Sequence, residues 1–193
     1  TQGKAMRGAG QAAALDAVAG DLEGIRATWE WLVEQQQFQA LIESMLSGLL
    51  QFSLIRGWVD EFIVLAKRAR KAAPASENRQ QMLQRIILET AEIYAEIEWM
   101  IFDDQPKERL VQVKQQIQEQ GFEQEMGYWH LLAIFAYLMV NFDEGARQMQ
   151  SALVQIESLT DQWERGLGYF LLGLSYIGEE QLELREHYAL KAL

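Results

Sequence analysis

The chain contains no cysteine. Disulfides and thiolate chemistry are thereby excluded, and a reducing cytoplasm suits such a chain. Proline is nearly absent: Pro74 and Pro106 are the two in 193 residues. Strand-type runs of Val, Ile and Thr are missing. Histidine is confined to His130 and His187. The first residues, Thr1-Gln2-Gly3-Lys4, include no initiator methionine and no apolar signal segment. The longest apolar stretch, Leu131 to Val140, is far below the roughly 20 residues a bilayer span requires, so no membrane partner is expected. The chain starts in a helix-like run and stops at Ala192-Leu193 without a polar tail, which reads as a fragment of a larger protein.

Basic residues are also in short supply. Seventeen Lys and Arg face twenty-eight Asp and Glu, for a net charge of −11. The imbalance is local. Residues 1–80 hold nine acids and nine bases, whereas residues 81–193 hold nineteen and eight. Such a surface repels phosphate backbones, so direct nucleic-acid binding is not expected. Its simplest role is solubility.

What remains is helix-forming material. Apolar residues make up 49%, and Gln, Glu, Leu and Ala dominate. Apolar positions recur at helical spacing. They predict helices near 9–19, 21–36, 38–55, 58–73, 78–101, 106–120, 123–141, 143–159, 161–177 and 180–193. Turn chemistry marks the breaks: Gly57, Pro74-Ala75-Ser76, Asp103-Asp104-Gln105-Pro106, Gly121, Asn141 and Asp161. Ser76 or Asn78 can cap the helix that follows. The connections are short, so consecutive helices should pack antiparallel.

A repeat is visible at a spacing near forty. Tyr169, Leu172, Gly173 and Tyr176 match the first helix of a tetratricopeptide (TPR) unit, and Ala192-Leu193 follows Leu172 by twenty residues. Trp129, Leu132 and Ala133 fall on the same positions forty residues earlier, with Ala152-Leu153 again twenty later. Leu46, Leu49, Leu50 and Ala69 outline an earlier unit, and Ile87, Thr90, Ala91 and Tyr94 supply another first helix. Small residues belong where paired helices cross, so Ala133 or Gly173 should oppose Ala152 or Ala192. Where a TPR second helix carries Ala and then Phe, this chain has Gly145 and Met149, then Arg185 and Ala189. The expected fold is all-α: a right-handed superhelix of antiparallel helix pairs, a TPR-like α-solenoid. It would form one repeat domain over 1–193, with opening helices at 1–36 and pairs at 37–75, 76–120, 121–160 and 161–193.

Two stretches carry a further resemblance. Gly24-Ile25-Arg26-Ala27-Thr28-Trp29-Glu30-Trp31 resembles the start of the C-terminal helical-repeat region of bacterial multidomain signalling ATPases, the STAND-class regulators of the MalT or AfsR type. Leu54-Ile55-Arg56-Gly57-Trp58, with Glu61 and Ala69, is similar to the arginine-glycine turn of that region. The family often has Asn where Gly24 stands and Ala where Thr28 stands. The resemblance implies a sensor: the repeats receive a small ligand or a partner protein, and nucleotide-binding and output domains elsewhere respond. The chain itself has no Gly-rich phosphate loop followed by Lys-Ser/Thr, so no nucleotide or other cofactor is expected.

Catalytic candidates are weak. Glu183 and His187 lie one helical turn apart, but the paired Glu-x-x-His motifs of a di-iron bundle are missing, so no metal is expected. Glu89, Glu92, Glu96 and Glu98 share a helix and read as a solvated stripe. No Ser-His-Asp set is supported. Lys67, Arg68, Arg70 and Lys71 end a helix, where cations suit its dipole. The expectation is therefore a non-catalytic binding module. Its inner face would take Gln51 and Arg56 from the first pair and Arg85, Glu92 and Glu96 from the second. His130 and Tyr137 would come from the third, and Phe170 from the fourth. Aromatics beside charges suit a protein or peptide, or a small polar ligand. The rival reading is a scaffold that self-associates through exposed repeat edges, favoured by six tryptophans.

Overall fold

The computed structural model describes residues 10–75, 78–99, 104–176 and 181–193, the side chain of Asp104 excepted. Every regular element among them is helical. They fall into two compact units, Thr1–Ile101 and Phe102–Leu193.

The first unit contains α1 (Gln11–Gly20), α2 (Leu22–Glu34), α3 (Phe38–Leu41), α4 (Ser47–Arg56), α5 (Val59–Ala72) and α6 (Arg79–Glu98). A π-helical turn, Ile42–Leu46, joins α3 to α4 without a break. The continuous rod Phe38–Arg56 is one helix long and apolar enough to cross a membrane by length and composition. In this unit it is a core helix, with Leu41, Leu46, Leu50 and Phe52 buried. Helix α4 ends at Gly57, whose φ of 73° lets the Trp58 N–H reach the Ser53 carbonyl at 2.9 Å.

Helix α5 shows how pattern becomes packing. Val59, Phe62, Leu65, Ala66 and Ala69 recur at three- and four-residue steps, and all are buried. Asp60 and Glu61 begin the helix, and Arg70 and Lys71 end it, in the order the dipole favours. Its apolar stripe faces α6, the most extensive helix contact of the unit. Asn78 starts α6 by accepting from the N–H groups of Gln80 at 3.0 Å and Gln81 at 3.2 Å. The alternative cap, Ser76, lies outside the described residues, as do Asp103 of the next expected turn and residues 177–180.

The second unit contains α7 (Asp104–Gln120), α8 (Glu123–Met126), α9 (Tyr128–Val140), α10 (Phe142–Ser151), α11 (Leu153–Ser158), α12 (Gln162–Leu174) and α13 (Leu182–Lys191). Helix α9 is apolar on nearly every side, with Leu131 to Ala136 all buried. It touches α7, α10 and α12. Asn141 alone links α9 to α10, so the two double back into a hairpin, and its side chain accepts from the Glu144 N–H. Helices α12 and α13 form a second such pair. Tyr188 of α13 stacks on Tyr169 of α12 and on Tyr176 just past its end, with centroids 6.2 and 5.7 Å apart.

The structure departs from the sequence reading in four places. The helix expected at 123–141 breaks at Gly127, where φ 52° and ψ −120° lie outside helical space. The one expected at 143–159 is interrupted at Ala152, whose N–H is shared between the carbonyls of Gln148 and Met149 at 3.1 Å each. Helices α6 and α7, expected to form the 76–120 pair, belong to different units. Finally, Ala133 and Ala152 are buried, but a close backbone approach of α9 and α10 also lies at a glycine outside those positions. A Cβ at Gly145 would stand 2.3 Å from Cα and 2.6 Å from N of Leu138.

Candidate functional site

The expected inner-face residues divide between the two units. In the first, Gln51 is half-buried on α4, with Oε1 buried and lacking a hydrogen-bond partner. Arg56, at the end of α4, is exposed and ion-paired with Asp16 of α1. Arg85 is half-buried on α6. Glu92 and Glu96 are not part of a solvated stripe: both are buried, Glu92 completely. The cause is Arg70 of α5, whose Nε donates to Glu92 Oε2 at 2.7 Å, with Glu89 4.0 Å from the same guanidinium. Burial lowers the Arg70 pKa, but its hydrogen bond with Glu92 and the charges of Glu92, Glu89 and Glu96 outweigh this, and the net shift is upward. The basic cluster at 67–71 is thus more than a dipole complement: Arg70 pairs inward, and Arg68 reaches Glu30 of α2 at 2.7 Å.

In the second unit, two expected residues share a face. His130 and Tyr137 are seven residues apart on α9, with Ile134 between them, so all three lie on one stripe. Phe170 is on α12 and 48% exposed. His130 and Ile134 line a cleft of about 310 Å³ formed by α7, α8, α9, α10 and α11. Gln118, Glu123, Gln124, Gln148, Ser151 and Gln155 supply its polar walls.

Gln155 organises this cleft. It is buried, and its Nε2 donates to the backbone carbonyls of Glu123 at 2.6 Å and Gly127 at 3.2 Å. Glu123 opens α8, and Gly127 separates it from α9. The Gly127 carbonyl also accepts from the His130 N–H at 3.2 Å, so the side-chain amide adds a donor to both ends of the short helix, in keeping with the pairing of buried polar groups. Gln155 Oε1 then faces His130 Nδ1 at 2.8 Å. Burial pushes the His130 pKa below its ordinary value. The Gln155 bond and the Glu123 charge pull it up, and Lys114 pushes it down. The net shift is downward, which favours the neutral imidazole.

Beside the cleft, Lys114 of α7 holds its Nζ 3.2 Å from the Tyr137 ring centroid and donates to Gln148 Oε1. Burial draws its pKa down to about 8, against the attraction of Glu144. Glu144 accepts from Gln148 Nε2 at 2.7 Å and pairs with Arg147, and these contacts hold its carboxyl below the usual range. Gln148 therefore bridges the cleft wall to a cation and an anion.

Sequence reading singled out His130 and Tyr137 but not Lys114, Gln148 or Gln155, which surround them. Their signal was faint. Gln148 and Gln155 are two among many glutamines, and only the helix break at Gly127 gives Gln155 its task. Among the described residues, no three His, Asp or Glu side chains gather closely enough to hold a metal ion. Comparison of the chain with protein-family models, with curated proteins and with solved structures yields no match.

Proposed function

We propose that this chain is a non-catalytic binding module, the ligand- or protein-sensing helical-repeat region of a larger signalling ATPase or transcriptional regulator. The observation that carries the binding reading is the cleft of the second unit. It is concave, mixed in polarity, and built around a histidine fixed by a buried amide. Such preorganised polar groups orient a ligand. Nothing in the cleft pairs that histidine with a nucleophile, so recognition suits it better than catalysis. The regulator setting rests on the Gly24–Trp31 and Leu54–Trp58 stretches. A TPR-like superhelix is supported by the pairing of α9 with α10 and of α12 with α13, and by the contact of α9 with α12. A cytoplasmic setting suits a cysteine-free chain.

A thermal-shift and NMR screen of the intact chain against small polar ligands and short peptides tests the reading. A hit should perturb signals of α9 and α11 and should be lost in His130→Ala. A folded chain that binds nothing would sink it. The regulator setting is checked separately by the sequence of the complete protein, which should include a phosphate-binding loop upstream.

A second reading has its own support. Phe170, Leu182, Leu184 and Leu190 are exposed on α12 and α13, which favours a scaffold that self-associates there. Sedimentation velocity across a hundredfold range of concentration separates the two. A strict monomer at the highest concentration removes the scaffold.

A further inference from the structure

Gln155 fixes the tautomer of His130, and that decides what the cleft can bind. Flipping the Gln155 amide would set its oxygen against the carbonyls of Glu123 and Gly127, two acceptors facing a third. The amide is therefore locked, with Oε1 toward His130. An acceptor at that point demands a donor, so the neutral ring carries its proton on Nδ1. Nε2 is left as a bare lone pair. It is not among the buried unpartnered atoms, and no described group bonds to it, so it opens into the cleft that His130 lines.

The rest of the lining points the same way. Glu123 is its only formally charged side chain. The groups that act on His130 are Glu123 from α8, Lys114 from α7 and Gln155 from α11. The Lys114 charge is engaged by the Tyr137 ring and Gln148, with Glu144 beyond. The second unit holds fifteen acids and seven bases, a net −8, which draws cations toward it. A ligand anion would meet a lone pair and a carboxylate. A cationic nitrogen would meet two acceptors.

We propose that this cleft binds the cationic nitrogen of an ammonium- or guanidinium-bearing ligand, with His130 Nε2 and the Glu123 carboxylate as its acceptors. The proposal rests on the cleft being a ligand site and names the chemistry of its occupant. Two sources carry that chemistry: a free small amine, or a Lys or Arg side chain of a partner peptide. Protonation of His130 turns its acceptor into a donor, so binding weakens as pH falls.

The test uses the intact chain with ¹⁵N-labelled histidine. His187, exposed on α13, serves as internal reference. Probes are n-butylammonium, methylguanidinium, Gly/Ser peptides with one central Lys or Arg, acetate and glycerol. The expected spectrum shows Nδ1–H and a bare Nε2 for His130, and Nε2 shifts with the cations while His187 stays still. Glu123→Gln should weaken cation binding roughly tenfold or more, as loss of a charge-assisted hydrogen bond does. Tighter binding of the peptides identifies a protein source, and equal binding a free amine. An Nε2–H tautomer overturns the proposal. So does a response to acetate or glycerol alone, which leaves the cleft a ligand site of another kind. Silence toward every probe removes both readings.

Discussion

Replacing Gly145 with alanine adds one methyl group where α10 crosses α9. The new Cβ would stand 2.3 Å from Leu138 Cα, 2.6 Å from its N and 2.8 Å from its Cβ. Carbon atoms sit comfortably at about 3.5–4.0 Å. The obstacle is backbone, which cannot swing aside, so the two helices must part by on the order of 1 Å. A gap of that size forfeits roughly a quarter to a half of each dispersion contact. Met149 and Ala146, both buried on α10, sit beside the crossing. If some 40 atom pairs at about 0.15 kcal/mol each are affected, the loss is about 1.5–3 kcal/mol. Alanine returns about 1 kcal/mol through its better helix propensity. The net cost is about 0.5–2 kcal/mol, overlapping the lower part of the usual range for overpacking. Urea unfolding of the intact chain measures it, and amide exchange should place the weakening in α9 and α10. Gly20→Ala and Gly24→Ala are the controls. A Cβ at Gly20 meets nothing within 4 Å, and one at Gly24 meets only the Asp21 side chain, which can turn away. Both should leave stability unchanged or raise it by up to about 1 kcal/mol. If Gly145→Ala matches or exceeds the parent, the close approach does not constrain the fold.

Three further outcomes follow from the packing and electrostatics. Asp161 accepts from the N–H groups of Trp163 at 3.0 Å and Glu164 at 3.1 Å at the start of α12. Asp161→Ala should cost about 1 kcal/mol in denaturant unfolding, while Asp161→Asn keeps most of the cap. The Arg70–Glu92 pair is largely withdrawn from water, so Glu92→Leu alone should lose about 3 kcal/mol or more. Adding Arg70→Met to that variant should recover much of the loss, and a double variant no better than the single would refute the coupling. His130 has a folded-state pKa below its ordinary 6.5. The unfolded chain then binds the extra proton first, so stability is full above about 6.5 and declines as pH falls through and below that value. Melting temperatures of the parent and His130→Gln between pH 4.5 and 8 should converge at low pH. A parallel offset would contradict a half-buried imidazole that is held neutral.

The helical class and most helix positions were legible because burial follows period. The spacing of Val59, Phe62, Ala66 and Ala69 is enough to locate α5, and that of Leu110, Val113 and Ile117 does the same for α7. Breaks within apolar runs were not legible. Gly127 interrupts a stretch whose hydrophobic spacing continues through it, and its unusual backbone is stabilised by Gln155, a residue of a distant helix. Gly145 shows the reverse. It stood out in the sequence as a departure from a repeat pattern, and the structure sets it against the backbone of Leu138.

The site was legible in part for a related reason. Position along α9 places His130 and Tyr137 on one stripe, which sequence spacing alone can show. Whether a charged residue faces water or a partner depends on other helices. Glu92 was read as solvated because Arg70, twenty-two residues earlier, cannot be assigned to it by periodicity. Lys114 is similarly anonymous until Tyr137 and Gln148 close around it.

The π turn at Ile42–Leu46 bears on how this chain tolerates insertion and deletion. Leu41 and Leu46 are both fully buried, five positions apart, and Leu49 and Leu50 resume the ordinary step. A regular α-helix advances about 100° per residue and would turn one of these leucines away. The wide turn absorbs a surplus residue and keeps both flanks facing one core. Removing one residue inside the turn would therefore leave Leu41 and Leu46 four positions apart, about 40° on a regular helix, so both would still face the core. An insertion or a deletion elsewhere in the rod has no such wide turn to absorb it and would swing one flank by about 100°.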